Sequence, residues 1–383
     1  MTMTASAIRC PVVRGRQSAA RSTVASVTGA VPGSTGLAAA HDGEPQLKIA
    51  RSSAEPFVGR EEARAELQSA LAAARAGHPQ VVIVEGQAGI GKTTLVQRFL
   101  DDHRDVHLQR ANGEQWEALV PFGVADQLFR TVGQAGTSVY AARDNVLPVE
   151  EPVSVGSRLL MLWGEFEDDE PVITVLDDAQ WADLDSLRAI LFAIRRVVAE
   201  RVLVLLVVRS EDMQRIPDGF RRLGDGPSGR IVELEPLDVT EVQALTEGLG
   251  VKALPPSVVR LLQEHTEGNP LYIRAILEET PEGDWSTWKS ALPAPAAFRR
   301  QVHRRLEACP LPGRQLVEAA AVLGLHTTLA TAAAVAGVSE SLTALDWALR
   351  SSLLAAVGSG DGVVGIEFPH PLIRAAVRQQ LSP

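Results

Sequence analysis

Between residues 57 and 236 the apolar positions change period repeatedly, and each change marks an element. Val81 to Val84 is a run of apolar β-formers, which predicts a buried strand. Before it, Ala63, Leu67, Ala70, Leu71 and Ala74 share one helical face, and Gly77 is placed to cap that helix. After it, Leu95, Val96, Phe99 and Leu100 recur at helical spacing. Further strand-like runs follow at Asp105 to Ala111, Pro171 to Asp178 (PVITVLDD), Arg201 to Ser210 (RVLVLLVVRS) and Arg230 to Leu234. Helices are predicted over Pro121 to Val132 and Val153 to Glu167, joined by a Gly/Ala/Ser loop, and over Leu184 to Ala199, capped by Asp183. Strands alternating with helices predict an α/β domain on a parallel sheet.

From Asp238 onward the period is helical: Asp238 to Gly248, Pro256 to Glu267 and Pro270 to Glu279. Pro281 to Pro295 reads as a linker by its Pro, Gly and Ser content. Helices are then predicted at Ala296 to Ala308, Gly313 to Leu323, Thr328 to Ala336 and Ser339 to Ser351. Leu353 to Val357 and Val363 to Phe368, split by GSGDG, predict a hairpin, and Pro371 to Leu381 a closing helix. Helices followed by a hairpin have the look of a winged helix. The stretch up to Glu55 is rich in Ser, Ala, Gly and Thr without periodicity, and its first 41 residues carry four arginines and no acid. That composition suits an organellar transit peptide, but a disordered tail is the preferred reading.

With 383 residues the chain is long enough for two or three domains, and 45% apolar content is that of a globular protein. A net charge of −10 argues against nucleic-acid binding as the main task. Two cysteines, Cys10 and Cys309, make neither a metal spacing nor a disulfide framework, which points to a reducing, cytoplasmic setting. The longest apolar stretch, Leu316 to Gly337, is broken by Glu318, Gly324 and His326 and predicts packed helices, not a membrane span.

The chemistry concentrates between the first strand and its helix. Gly86 to Thr93, GQAGIGKT, fits G-x-x-x-x-G-K-[ST] at every fixed position. The glycines Gly86, Gly89 and Gly91 let the backbone curl, so that N–H groups of Gln87, Ala88, Ile90 and their neighbours through Thr94 face phosphate oxygens near a helix N-terminus. Lys92 would reach the β- and γ-phosphates, and the Thr93 hydroxyl would hold Mg²⁺. Asp177 and Asp178 end the apolar run PVITVLDD; in this fold that strand is expected beside the first. Asp177 would orient the metal and Asp178 would accept a proton from an attacking water, so Lys92 and Asp178 are the candidate catalytic pair. Arg209, at the tip of RVLVLLVVRS, would emerge on the same sheet edge and sense the γ-phosphate. The fold class expected is therefore an α/β P-loop NTPase parallel sheet flanked by helices, followed by a helical domain and a winged-helix domain. The expected boundaries are a tail over 1–55, the ATPase domain over 56–236, a helical lid over 237–281, a linker over 282–295 and the winged helix over 296–383.

The ordered series FVGRE, GQAGIGKT, VITVLDDAQWAD, VLVLLVVRS, HTEGNPLYI and FPHPLIRAAV resembles the sensor module of large ATP-binding LuxR-type transcriptional regulators, STAND-class P-loop ATPases of the AAA-like group. The resemblance implies an ATP/ADP switch with Mg²⁺ and slow hydrolysis. It implies that Val58, Gly59 and Arg60 help form the adenine pocket. It implies that Pro270 of Gly268-Asn269-Pro270 packs on the nucleotide, and that His370 touches the phosphates of ADP. Gln180 and Trp181 belong to the extended Walker B signature, with packing the favoured role. Relatives continue into helical repeats and a DNA-binding helix-turn-helix, whereas this chain ends at Pro383. It is expected to be a fragment or a stand-alone switch, acting through a protein partner or self-association and touching DNA only through a C-terminal domain it lacks. The alternative is a DNA-binding AAA+ initiator of the origin-recognition type. Those carry a sensor arginine where Gly268-Asn269-Pro270 stands, and Arg274 follows four residues later. Arg299, Arg300, Arg304 and Arg305 would be its phosphate contacts, but eight arginines against six acids over Ala296 to Pro383 is a small excess that suits a solvated face. The absence of N-K-x-D excludes a GTPase.

Overall fold

The computed structural model describes residues 56–131, 151–166, 170–251, 254–280, 292–358 and 363–381. The predicted tail, the loop over 132–150, residues 281–291 of the predicted linker and the hairpin tip at 359–362 lie outside the described residues.

Strands β1 (Gln80–Gly86), β2 (His107–Asn112), β3 (Val172–Asp177), β4 (Val202–Arg209) and β5 (Gly229–Leu234) form one sheet in the order β2-β3-β4-β1-β5. Every neighbouring pair is parallel. Strands covered on both faces read as unbroken apolar runs, and β3 is buried at every position. The two-residue period divides their side chains between two cores. Val81, Ile83, Val204 and Leu206 face α3 (Gly123–Thr131), α4 (Pro152–Glu165), α5 (Leu184–Ile194) and α6 (Asp218–Gly224). Val82, Val84, Leu203 and Leu205 face α1 (Glu61–Arg75) and α2 (Lys92–Asp102).

One expectation about the sheet is corrected. The strand ending in Asp177 does not lie beside β1, because β4 is inserted between them. The insertion places Arg209 directly beside Gly86 in register. Helix α5 also stops at Ile194, short of the predicted Ala199. The reason is local: the Glu200 carboxylate accepts from the N–H groups of Val198 (2.7 Å) and Ala199 (3.0 Å), holding them in a turn. Asp183 caps α5 as expected, accepting from Ser186 N at 2.8 Å, and also accepts from Phe122 N and Val124 N, which fixes the start of α3.

Beyond the sheet, α7 (Val239–Gly248), α8 (Pro256–Thr266) and α9 (Pro270–Glu279) precede α10 (Ala296–Ala308), α11 (Leu311–Leu323), α12 (Leu329–Ala336), α13 (Ser341–Arg350) and α14 (Pro371–Leu381). The predicted hairpin is present as β7 (Ala355–Gly358) and β8 (Val364–Glu367), and an unanticipated strand, β6 (His326–Thr328), completes an antiparallel sheet in the order β6-β8-β7. Leu245, Leu262 and Ile273 share one core with Leu306, Leu316 and Leu372. Leu292 and Ala294, assigned to the linker by sequence, are buried in that same core.

Candidate functional site

The loop that leaves β1 enters α2 through Gly91, whose φ of 107° lies in the left-handed region. Lys92 follows, only 7% exposed. Its Nζ donates to the carbonyls of Gly86 (2.7 Å) and Gln87 (2.8 Å), two of the three donors an ammonium has. Burial pulls its pKa down to about 8, opposed by the carboxylates of Glu211, Asp178 and Asp177 and aided by Arg209. A lysine held this way is a buried cation in the first turn of α2, a setting that suits an anion with several oxygens.

The ends of β3 and β4 meet this loop. Asp177 Oδ1 accepts from the Thr93 hydroxyl at 3.1 Å and from Asp178 N at 3.2 Å. Its Oδ2 accepts from Arg110 at 3.0 Å. Asp178 adopts a left-handed backbone (φ 47°, ψ 44°), which turns its carboxylate away from the strand direction. Gln180 holds it there: Nε2 donates to Asp178 Oδ1 at 2.8 Å, and Gln180 Oε1 accepts from Arg209 N at 3.3 Å. Arg209 Nε lies 4.0 Å from Asp178 Oδ1. The hydroxyl of Thr93 and the carboxylate of Asp177 are hard oxygen donors within hydrogen-bond distance of each other. They fit Mg²⁺, which is usually held by one or two carboxylates together with substrate phosphates. Among the described residues no group of three or more His, Cys, Asp or Glu is arranged for an all-protein metal site.

A second wall comes from the N-terminal segment and the helices after the sheet. Val58 packs on the core of α7–α9, and the buried Arg60 donates to Ile90 O (3.3 Å) and Gly59 O (3.1 Å). Burial lowers the Arg60 pKa, and Glu241 opposes the shift. Arg274 donates to Pro56 O at 2.6 Å, tying α9 to the same segment. Asn269 caps α9 by accepting from Leu271 N (3.1 Å), and Pro270 occupies the first turn, where its missing N–H costs nothing. The other end of the Asn269 amide donates to Ala88 O, inside the phosphate-type loop, at 2.8 Å. Gly89 faces this contact with φ +78°, and a Cβ there would lie 2.8 Å from Leu271 Cδ2 and 3.0 Å from Asn269 Oδ1. Close approach of α9 therefore requires glycine.

His370 is brought to α8 and α9. Its Nδ1 accepts from Leu372 N at 3.1 Å, capping α14, and its Nε2 lies 3.9 Å from Glu267 Oε2. The ring stands edge-on to Tyr272 at 5.4 Å. Burial lowers its pKa to about 4, with His265 adding to the effect, and burial likewise lowers His265 to about 4. Both are neutral when folded and titrate near 6.5 when unfolded, so the unfolded chain binds more protons between these values. Their contribution is complete above about pH 6.5 and is lost as pH falls toward 4. Glu267, raised by burial above 4.5, works in the opposite sense at the acidic end. Thermal melting across pH 4.5–7.5 should show stability falling with acid. His370→Asn, which retains an acceptor for Leu372 N, should flatten that slope; an unchanged slope removes His370 from the effect.

The structure thus gathers Lys92, Thr93, Asp177, Asp178 and Arg209 at one sheet edge, with Arg60 and Asn269 on the loop above them. Two further contributors stand beside them, one read from sequence in another role and one not read at all. Gln180, for which the sequence favours packing, is buried and also orients Asp178. Arg110 was missed; the signal was a cation on the strand that pairs with β3.

Residues 56–207 match the AAA ATPase domain family, and the five-stranded parallel sheet flanked by helices is P-loop NTPase-like. No curated protein matches the chain. Among solved structures, ORC2 of Aeropyrum pernix in ADPNP–ADP complexes aligns over 86% of this chain and 96% of its own, at 16% identity and a TM-score of 0.50. A Walker-type ATPase of Pyrococcus abyssi aligns over 86% and 99% at 15% identity (TM-score 0.48), and a RuvB variant of Thermotoga maritima over 79% and 90% at 15% (TM-score 0.40). At these identities the likeness is one of fold. Among the described residues no helix is long and apolar enough to cross a membrane.

Proposed function

We propose that this chain is an adenine-nucleotide switch, the STAND-class sensor module of a LuxR-type regulator, with slow ATP hydrolysis. The observation that carries the reading is the Asn269 amide on Ala88 O, which joins the helices after the sheet to the loop that would hold phosphate. Nucleotide occupancy and the position of α7–α9 are then one equilibrium, and a ligand shifts it by its differential affinity for the two arrangements. Thr93 and Asp177 would hold Mg²⁺, which would supply charge neutralisation at the phosphates. Lys92 binds the polyphosphate, Arg209 lies beside Gly86 to sense its terminal group, and Asp178 takes the proton of the attacking water. Val58, Gly59 and Arg60 form the adenine side. Helices α10–α14 with their three-stranded sheet read as the winged helix, and His370 packs it against the lid, edge-on to Tyr272 and 3.9 Å from Glu267, one residue before Gly268. The phosphate contact of His370 belongs to this proposal. Output passes through a protein partner or self-association. The net charge of −10, and Gly268-Asn269-Pro270 in place of a sensor arginine, favour this reading over a DNA-binding initiator.

Asn269→Ala removes the amide from the loop and leaves Lys92 untouched. ADP should leave about five- to tenfold faster, the effect of one lost hydrogen bond of about 1 kcal/mol or slightly more. A fluorescent-ADP chase showing wild-type release in the folded variant would detach the lid from nucleotide retention.

A further inference from the structure

Arg110 belongs to none of the motifs above. It lies on the edge strand β2, in register with Val175, two residues before Asp177 on β3. Its guanidinium is held at two points: one nitrogen donates to Asp177 Oδ2 at 3.0 Å, and another to Gln97 Oε1 on α2 at 3.0 Å. The Asp177 side chain is 8% exposed and that of Arg110 38%, so the pair is rooted in the site with one flank toward solvent. Both oxygens of Asp177 are therefore engaged, Oδ1 by the Thr93 hydroxyl and Oδ2 by the Arg110 guanidinium.

We propose that Arg110 is a built-in cation at the metal-side carboxylate and sets how strongly nucleotide binding depends on Mg²⁺. The proposal rests on the nucleotide reading of the site. Without metal, Asp177 and Asp178 put two negative charges beside the phosphates, and Arg110 cancels one of them. With metal present, the same guanidinium repels it and competes for Asp177. Both effects act in one direction: they narrow the gap between Mg²⁺-free and Mg²⁺-bound nucleotide affinity. The site would then keep ADP when Mg²⁺ is scarce.

The test is equilibrium binding of fluorescent ADP to the full chain, in EDTA and in excess Mg²⁺, read by anisotropy without turnover. In Arg110→Gln the ratio of Kd in EDTA to Kd in Mg²⁺ should rise about tenfold or more over wild type, because the fixed charge 3.0 Å from Asp177 Oδ2 has been removed. Arg110→Lys, which keeps the charge, should stay within about threefold of wild type. An unchanged ratio in Arg110→Gln overturns the proposal, and so does a lysine variant that behaves like glutamine. Should the glutamine variant fail to fold, the wild-type ratio decides: below about thirtyfold supports the proposal, and above that it is overturned. Absence of ADP binding by wild type in both buffers brings down the nucleotide reading itself, which none of the other outcomes does.

Discussion

Lys92→Ala is expected to weaken both ATP and ADP binding by about 10- to 150-fold, the equivalent of one charged hydrogen-bonding contact of about 1.5–3 kcal/mol. The ammonium is buried and already aimed into the loop, donating to Gly86 O and Gln87 O. A polyphosphate offers it full negative charge in place of carbonyl dipoles, in a site of low dielectric. The same burial has a signature in protons. Lys92 sits near pKa 8 in the protein alone, and a bound phosphate would raise it, so binding above about pH 8 should take up a proton. Calorimetry in buffers of different ionisation heat reads that uptake directly. Wild type should show it at pH 8.5 and Lys92→Ala should not. Folding is checked alongside the comparison. Lys92→Met keeps the stem's volume and sheds a desolvated charge, which offsets in part the two carbonyls left without a donor, so its melting temperature serves as the folding control. Equal nucleotide affinity in wild type and Lys92→Ala, with both folded, would contradict the reading of Gly86 to Thr93.

What the sequence made legible were features set within a few residues. The phosphate-type loop needs only its glycines, its lysine and a strand and helix on either side, all contiguous from Gln80 to Asp102. The cap by Asp183 is a contact three residues long and was readable for the same reason. Spatial order was not. Nothing local in RVLVLLVVRS says that it pairs between β1 and β3, and only that insertion puts Arg209 in register with Gly86. Arg110 depends on the same global fact, since its charge matters only because β2 pairs with β3. The end of the predicted linker holds something composition does not show: residues 292–295 are outside helix and strand, as a linker implies, yet two of them are core. Leu292 and Ala294 stand among prolines, and composition reads such a stretch as loop, while the core takes any apolar side chain that reaches it. The short α6 was invisible because seven residues do not display a helical period.

Asp178→Asn should abolish most hydrolysis while sparing binding. A positioned general base contributes on the order of 10²- to 10⁴-fold, so single-turnover phosphate release should fall by about that factor, with ATP affinity within about threefold of wild type. The substitution suits the site. Asparagine tolerates the left-handed backbone that Asp178 adopts at φ 47°. Its carbonyl oxygen can still accept from Gln180 Nε2, as Oδ1 does now at 2.8 Å. Side-chain volume and the link from Gln180 to Arg209 N are kept, and what disappears is the negative charge and the ability to take a proton. Asp178→Ala provides the contrast. It loses the same chemistry, but it also leaves the Gln180 amide without its acceptor, and should cost about 1 kcal/mol of stability besides. Two variants with equally low turnover and different melting temperatures therefore separate the reaction from the scaffold. Phosphate release by Asp178→Asn at the wild-type rate would leave Asp178 as the former of the turn after β3 and nothing more.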